Sequence, residues 1–212
     1  MIERLAISDA AAGATRTAFD RCIRGGGVAV FPADTLYGLA CDPLDAAAIG
    51  RIHALKGREE GKPSAVMFFS PLAMRGLVAT LGSRTRDALG VLLPGPVTAV
   101  VHNPERLYPL ACREDPERLG VRLIDGPLAG AASAVFQTSA NRTGASAPHR
   151  FADVDAAILE GANLAIDGGE LRGEPSTVVD LTEIESGGEW RLLRKGAIGD
   201  PEIERRLRTI RG

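Results

Sequence analysis

The segment from Val28 to Phe69, VAVFPADTLYGLACDPLDAAAIGRIHALKGREEGKPSAVMFF, sets the strongest limit on what this chain folds into. A short apolar run ends at Pro32, and Asp34, Thr35, Tyr37 and Gly38 follow it. Ile49, Ile52 and Leu55 then recur at helical spacing. Lys56, Arg58 and Lys62 come next among glycines, and a second apolar run covers Ser64 to Phe69. The order reads strand, polar loop, helix, cationic loop, strand. Loops at strand ends of α/β proteins collect small-molecule sites. Clustered cations point to an anionic ligand, and glycines let the backbone approach it.

The remaining chain continues the alternation. Leu5 and Ile7 start a strand, and Ser8 or Asp9 caps a helix running to about Arg24. Gly25-Gly26-Gly27 stops that helix and releases strand Val28–Phe31. Asp45 caps a helix over Ala46–Leu55. Helices are expected over Pro71–Leu81 and Thr85–Leu93, after Pro127, over Phe151–Glu160 with Asp153 as a candidate cap, and over Pro201–Ile210. Strands are expected at Ser64–Phe69, Val97–Val101, Leu119–Ile124, Ala134–Thr138, Leu164–Asp167, Thr177–Asp180 and Trp190–Leu193. Leu107–Arg118 is loop-like. No repeat, low-complexity tract or linker interrupts the 212 residues. One mixed α/β domain over 1–212 fits this irregular order better than a regular doubly wound sheet.

Charge and cysteine content narrow the function classes. The formal net charge is -2, unlike that of a non-specific nucleic-acid binder, although a local basic patch stays compatible with it. Aromatic residues make up 4%, which disfavours single-strand recognition by stacking. Cys22, Cys41 and Cys112 are far apart and form no C-x-x-C, so neither a disulfide framework nor a structural zinc site is expected. A reducing compartment follows. No signal peptide and no membrane-length apolar run is evident, which makes a cytoplasmic location without membrane contact the expectation. His53, His102 and His149 lack metal-ligand spacing, and His53 reads as a helix-surface residue.

Several constellations are candidates for chemistry, each beside a plainer alternative. Lys56, Arg58 and Lys62 form either a clamp for phosphate or carboxylate oxygens, or a solvated helix end placed favourably against the dipole. Gly57–Pro63 superficially resembles a Walker loop but lacks its spacing and its Ser or Thr after the lysine. Asp34, Thr35 and Tyr37 either wall a pocket or merely turn the chain. Arg122 interrupts the apolar strand LGVRLI. It either meets a buried carboxylate or ligand anion, or faces water at a sheet edge. TSANRTG places Ser139 and Asn141 in a turn suited to an anion. Arg194-Lys195-Gly196 is a second cationic turn, and Gly168-Gly169 with Pro175-Ser176 a further turn-to-strand junction.

FPADTLYGLACDP, KGREEGKP, PGPVT, LGVRLI, TSANRTG, GEPSTVVDLT and LLRKGAI occur in this order between Val28 and Ile198. Each is weak alone. As an ordered set they resemble the YrdC-type threonylcarbamoyl-AMP synthases over nearly the whole chain. The resemblance implies a single YrdC-like domain, a twisted mixed sheet with helices packed around it and a concave, positively charged face. It implies an ATP-dependent nucleotidyltransferase that converts L-threonine, bicarbonate and ATP into threonylcarbamoyl-AMP and pyrophosphate. That product serves tRNA modification, so tRNA or double-stranded RNA and the other proteins of that modification are implied partners. Mg²⁺ accompanies the ATP, and no protein metal site is implied. Residue by residue, Lys56 and Arg58 match catalytic positions. Thr35, Arg122, Ser139 and Ser176 match substrate-binding positions. Arg58, Lys62, Arg118, Asn141, His149 and Arg194 match nucleotide-binding positions. Ala33 and Met67 depart from the family, which usually has a threonine and often a histidine there. Two other readings therefore stay open: a non-catalytic or regulatory double-stranded RNA-binding protein on this fold, and the same adenylylation with another acceptor.

Overall fold

The strands assemble into one mixed sheet. The computed structural model describes residues 2–7, 11–57 and 64–210. The strands are β1 Glu3–Ala6, β2 Ala29–Pro32, β3 Tyr37–Cys41, β4 Ala65–Phe68, β5 Val97–His102, β6 Arg118–Leu123, β7 Val135–Ser139, β8 Leu164–Asp167, β9 Thr177–Asp180 and β10 Arg191–Arg194. The helices are α1 Ala12–Arg24, α2 Ala46–Lys56, α3 Pro71–Val78, α4 Ser83–Leu92, the short α5 Pro109–Cys112, α6 Ala156–Gly161 and α7 Asp200–Leu207. The ten strands run in the order β1-β8-β2-β3-β7-β4-β6-β5-β9-β10. Parallel pairs such as β4–β6 and β5–β9 mix with antiparallel pairs such as β3–β7 and β5–β6.

Successive side chains on a strand point to opposite faces. Val30, Leu39, Val66, Val121, Phe136 and Val179 belong to one face. Ile49 and Ile52 of α2, Leu77 of α3, Leu89 and Leu92 of α4, Ile158 of α6 and Ile203 of α7 cover it. The other face carries Ala29, Phe31, Met67, Phe69, Val135 and Ile166, packed with Phe19 and Ile23 of α1. The rings of Phe19, Phe31 and Phe69 meet pairwise at 5.2–6.0 Å. Each such pair adds about 0.5–1.5 kcal/mol beyond its area. Helix α1 lies mainly over β2 and β8. The site opens on the same face across β7, β4, β6, β5 and β9.

Local signals account for most element bounds. Asp45 caps α2 by accepting the Ala48 amide at 3.0 Å, and Gly57 ends it in the left-handed region at φ 57°. The proposed α1 caps Ser8 and Asp9 lie outside the described residues. Helix α1 begins behind Ala11 without a side-chain cap. Five expectations need correction. Within Leu107–Arg118, expected to be loop-like, Pro109–Cys112 is the short helix α5 and β6 begins at Arg118. Tyr37–Cys41 is not loop but strand β3, hairpinned to β2 with Phe31 opposite Gly38. No helix follows Pro127, because Gly126 at φ 122° and Gly130 at φ 89° turn the chain instead. Phe151–Glu160 divides into a single 3₁₀ turn and α6, which Asp155 caps while Asp153 pairs with Arg150. His53 is buried rather than on the surface, its ring 6.0 Å from that of Phe136 and in contact with Arg113. No described helix is long and apolar enough to cross a membrane.

Candidate active site

The sheet register builds the floor of the site. Ala40, Gln137, Ala65, Gly120, Val100 and Asp180 stand side by side across β3, β7, β4, β6, β5 and β9. Val135, Met67 and Arg122 form the adjacent row on the same face. Ala65 and Gly120 have almost no side chain, so the sheet is low between them. A cavity of about 700 Å³ opens there. Its walls come from the β2–β3 loop (Thr35, Leu36, Tyr37), the end of β7 (Thr138, Ser139), and Ser176 with Arg194 at the β9–β10 end. Ser64, Thr98, Asp115, Arg118, Arg122 and Gln137 add to the polar lining.

Arg122 lies on an interior strand and is 4% exposed, which removes the sheet-edge alternative. Its Nη2 donates to Asp34 Oδ1. Arg122 Nε and Asp34 Oδ2 are buried and make no hydrogen bond. Burial pushes the Asp34 carboxyl up, against the pull of the Arg122 charge beside it. The guanidinium is thus half neutralised from behind and retains donor capacity at the cavity.

Thr35 is buried, and its carbonyl accepts the Gly173 amide at 3.1 Å, which ties the β2–β3 loop to the segment before β9. The Tyr37 hydroxyl donates to Gly169 O at 2.7 Å and accepts the Gly168 amide at 2.9 Å. Burial pushes that phenol up to about 12, so it acts as a wall and a strut rather than an acid. Ser176 Oγ shares a 2.9 Å hydrogen bond with Thr98 Oγ1. Arg194 Nη2 donates to Ser176 O at 2.8 Å and to its Oγ at 3.0 Å.

Lys56 is buried at the C-terminus of α2, where the dipole favours a cation. Its Nζ donates to the backbone carbonyls of Ser139 and Asn141, the latter at 2.7 Å. The Asn141 side chain closes its own turn, donating to Arg142 O at 2.9 Å and Ala145 O at 2.6 Å. Lys56 therefore fixes the turn that presents Ser139. His149 Nε2 lies 3.7 Å from Glu170 Oε1. Neither Lys56, Asn141 nor His149 is among the cavity-lining residues, whereas Thr35, Arg118, Arg122, Ser139, Ser176 and Arg194 all are. Arg58 and Lys62 lie outside the described residues.

At the outer end, Arg118 Nη2 and Arg191 Nη2 both donate to Asp180 Oδ2 at 2.9 Å. Asp180 Oδ1 accepts from the Thr182 amide at 3.0 Å and its hydroxyl at 2.7 Å. Burial works to raise the Asp180 carboxyl. The Thr182 hydrogen bonds and the arginines outweigh it and hold the group below the usual carboxylate range. A lowered folded value means stability present above the unfolded value and lost as pH falls through the folded one. Asp180→Asn should cost about 1.5–3 kcal/mol near neutrality, the worth of hydrogen bonds to a charged group. In thermal unfolding across pH, the gap between wild type and variant should narrow below the unfolded value of 3.8.

Sequence reasoning passed over Asp34 as the partner of Arg122, and Thr98, Gln137 and Asp180 altogether. The available signal was period two. Gln137 and Ser139 alternate with Phe136 and Thr138, and polar residues on the inner face of an interior strand need a ligand or a partner.

Comparison with known proteins agrees with this geometry. The Sua5/YciO/YrdC family model, described as "Telomere recombination", matches residues 21–196. The threonylcarbamoyl-AMP synthase of Chromohalobacter salexigens is 35% identical over 171 residues, covering 77% of this chain and 91% of that protein. The human threonylcarbamoyl-AMP synthase is 33% identical over 200 residues, covering 82% of this chain and 64% of the human one. Among solved structures, P. abyssi Sua5 complexed with L-threonine superposes with a TM-score of 0.83 at 27% identity, over 100% of this chain and 62% of that one. E. coli YciO, at 20% identity and a TM-score of 0.79, shares the fold over 96% of this chain and 98% of its own. This chain thus spans less than two thirds of the human and P. abyssi proteins. The family-model match over residues 21–196 and the identity to these relatives show that the chain belongs to the Sua5/YciO/YrdC family.

Proposed function

We propose that this protein is an L-threonylcarbamoyl-AMP synthase acting as one catalytic unit over residues 1–212. The observation that carries the reading is the convergence of Thr35, Arg122, Ser139, Ser176, Arg118 and Arg194 on one cavity from widely separated segments. In this reading Arg122, backed by Asp34, receives the carboxylate of the amino acid. Thr35, Ser139 and Ser176 orient its other polar groups. Arg118 and Arg194, with Arg58 and Lys62, neutralise the phosphates of ATP, while Asn141 and His149 border the nucleotide. Lys56 serves catalysis through the Ser139–Asn141 turn.

The reaction forms an N–C bond between the threonine amine and the carbon of bicarbonate, with loss of water, to give a carbamate. A carbamate oxygen then bonds to the α-phosphorus of ATP as pyrophosphate leaves. Charge accumulates on phosphate oxygens, and fixed cations in a sheltered cavity stabilise it. No described group of three or more His, Cys, Asp or Glu is arranged to hold a metal ion. Mg²⁺ fits as part of the ATP substrate, held by phosphate oxygens and water. The adenylate is then consumed in tRNA modification by partner proteins.

Pyrophosphate release should depend on both threonine and bicarbonate, with threonylcarbamoyl-AMP identified by mass as the product. Release that ignores threonine would overturn the assignment. Tight double-stranded RNA binding without ATP turnover would replace it by the RNA-binding alternative.

A further inference from the structure

Gln137 is an uncommitted polar side chain of the cavity floor. It sits midway along β7, two residues before Ser139, half-buried and facing the cavity. Its neighbours in the row are Ala40 and Ala65, which offer no polar group. Among the described residues its carboxamide makes no hydrogen bond, whereas Arg122, Ser139, Ser176 and Arg194 are all engaged. The backbone is shaped to hold it. A Cβ on Gly38 would lie 3.0 Å from Gln137 Nε2 and 2.9 Å from Phe31 Cε1, so glycine there leaves the amide its place. No neighbour fixes which terminal atom is nitrogen, so the amide presents either its oxygen or its NH₂.

Position and chemistry narrow what it meets. Gln137 and the Asp180 clamp stand four strands apart in one row, about 19 Å at the spacing of paired strands. Strand β7 lies beside β3 and its Thr35 loop, whereas Arg194 is on the edge strand β10 beyond β9, so Gln137 belongs with Thr35 and Ser139. Carboxylates and phosphates only accept hydrogen bonds, and an ammonium only donates. A carboxamide both donates and accepts, and so does a hydroxyl.

We propose that Gln137 selects the acceptor amino acid by hydrogen-bonding its side-chain hydroxyl, in both directions, while Arg122 holds the carboxylate. The inference rests on the synthase reading above. It makes Gln137 a specificity residue that favours threonine over valine, the isostere in which a methyl replaces the hydroxyl.

Gln137→Met keeps the length and removes both polar atoms; Gln137→Ala is the second variant. Amino-acid-dependent pyrophosphate release is measured with threonine, valine and serine, and folding is checked by thermal unfolding. The threonine-to-valine ratio of kcat/KM should fall at least about tenfold in both variants, the worth of a hydrogen bond in a site built for one. The threonine-to-serine ratio and the KM for ATP should stay unchanged. An unchanged threonine-to-valine ratio in a folded variant overturns the role of Gln137 alone. Wild-type protein inert with threonine overturns the synthase reading and this inference together.

Discussion

Arg122→Met is expected to raise the KM for threonine about a hundredfold or more and to lower stability by about 3–5 kcal/mol. The first effect follows from losing a charge-assisted contact in a desolvated site, which typically costs 2–5 kcal/mol of binding, on the order of 30-fold to several thousandfold. The second follows from leaving Asp34 buried without its countercharge. Against a total stability of about 5–15 kcal/mol that is a large fraction. The two effects separate in the double variant Asp34→Asn with Arg122→Met. A neutral pair of similar volume should regain most of the stability and none of the threonine affinity.

The sign of the pH dependence is also fixed. Removing Arg122 takes away the positive charge that holds the Asp34 carboxyl down, so its folded value, already raised above 3.8, rises further. The single variant should therefore be close to wild type in stability below that unfolded value. It should fall behind as pH rises through the folded one, where the carboxyl must ionise in a buried place. A destabilisation independent of pH would mean that Asp34 is not the group left uncompensated.

Lys56→Met should lower kcat about a hundredfold and stability by about 2–3 kcal/mol. The buried ammonium donates to two carbonyls and lies 3.3 Å from Asn141 Oδ1 and 3.5 Å from Ser139 Oγ. Charge-assisted hydrogen bonds of this kind contribute about 1.5–3 kcal/mol. Without them the turn from Ser139 to Ala145 loses its anchor to α2, and a 1 Å displacement of an orienting group is enough to cost such a factor in rate. Lys56→Arg should not rescue, because a planar fork does not fit a cage shaped for a compact ammonium. A lysine acting on phosphate alone would give a different pattern, with activity lost and stability unchanged or higher on removal of a buried charge. Unfolding and turnover measured on the same samples distinguish the two.

Much of this fold is written in local pattern. The Asp45 cap, the stop at Gly57 and the triple glycine before β2 act over a few residues and need no tertiary context. Strand β3 is not legible locally, because YGLAC is short, holds a glycine and follows a polar turn. It is a strand only because β2 and β7 supply hydrogen bonds on both sides. His53 was misplaced because its helix position is amphipathic by spacing alone, while the Arg113 segment that covers it arrives from far along the chain.

The candidate site divides along the same line. The motifs name Thr35, Arg122, Ser139, Ser176 and Arg194, the resemblance adds Arg118, and the fold brings these six to one cavity. Motifs do not say that the Lys56 ammonium turns onto the Ser139–Asn141 backbone, or that Asp34 stands behind Arg122. Those relations depend on which strands lie side by side.

The amino-acid sequence by itself determined the alternation of strands and helices, the caps and stops, and the identity of the polar residues set into apolar strands. These follow from side-chain periodicity and backbone preferences within a few residues. Only the tertiary structure decided that a cavity opens on the sheet face beside α1, and that the Ala65–Gly120 row lowers its floor. It also decided which charge answers which. The reason is that strand order and register bring together residues such as Asp34 and Arg122, whose separation along the chain carries no local signal of contact.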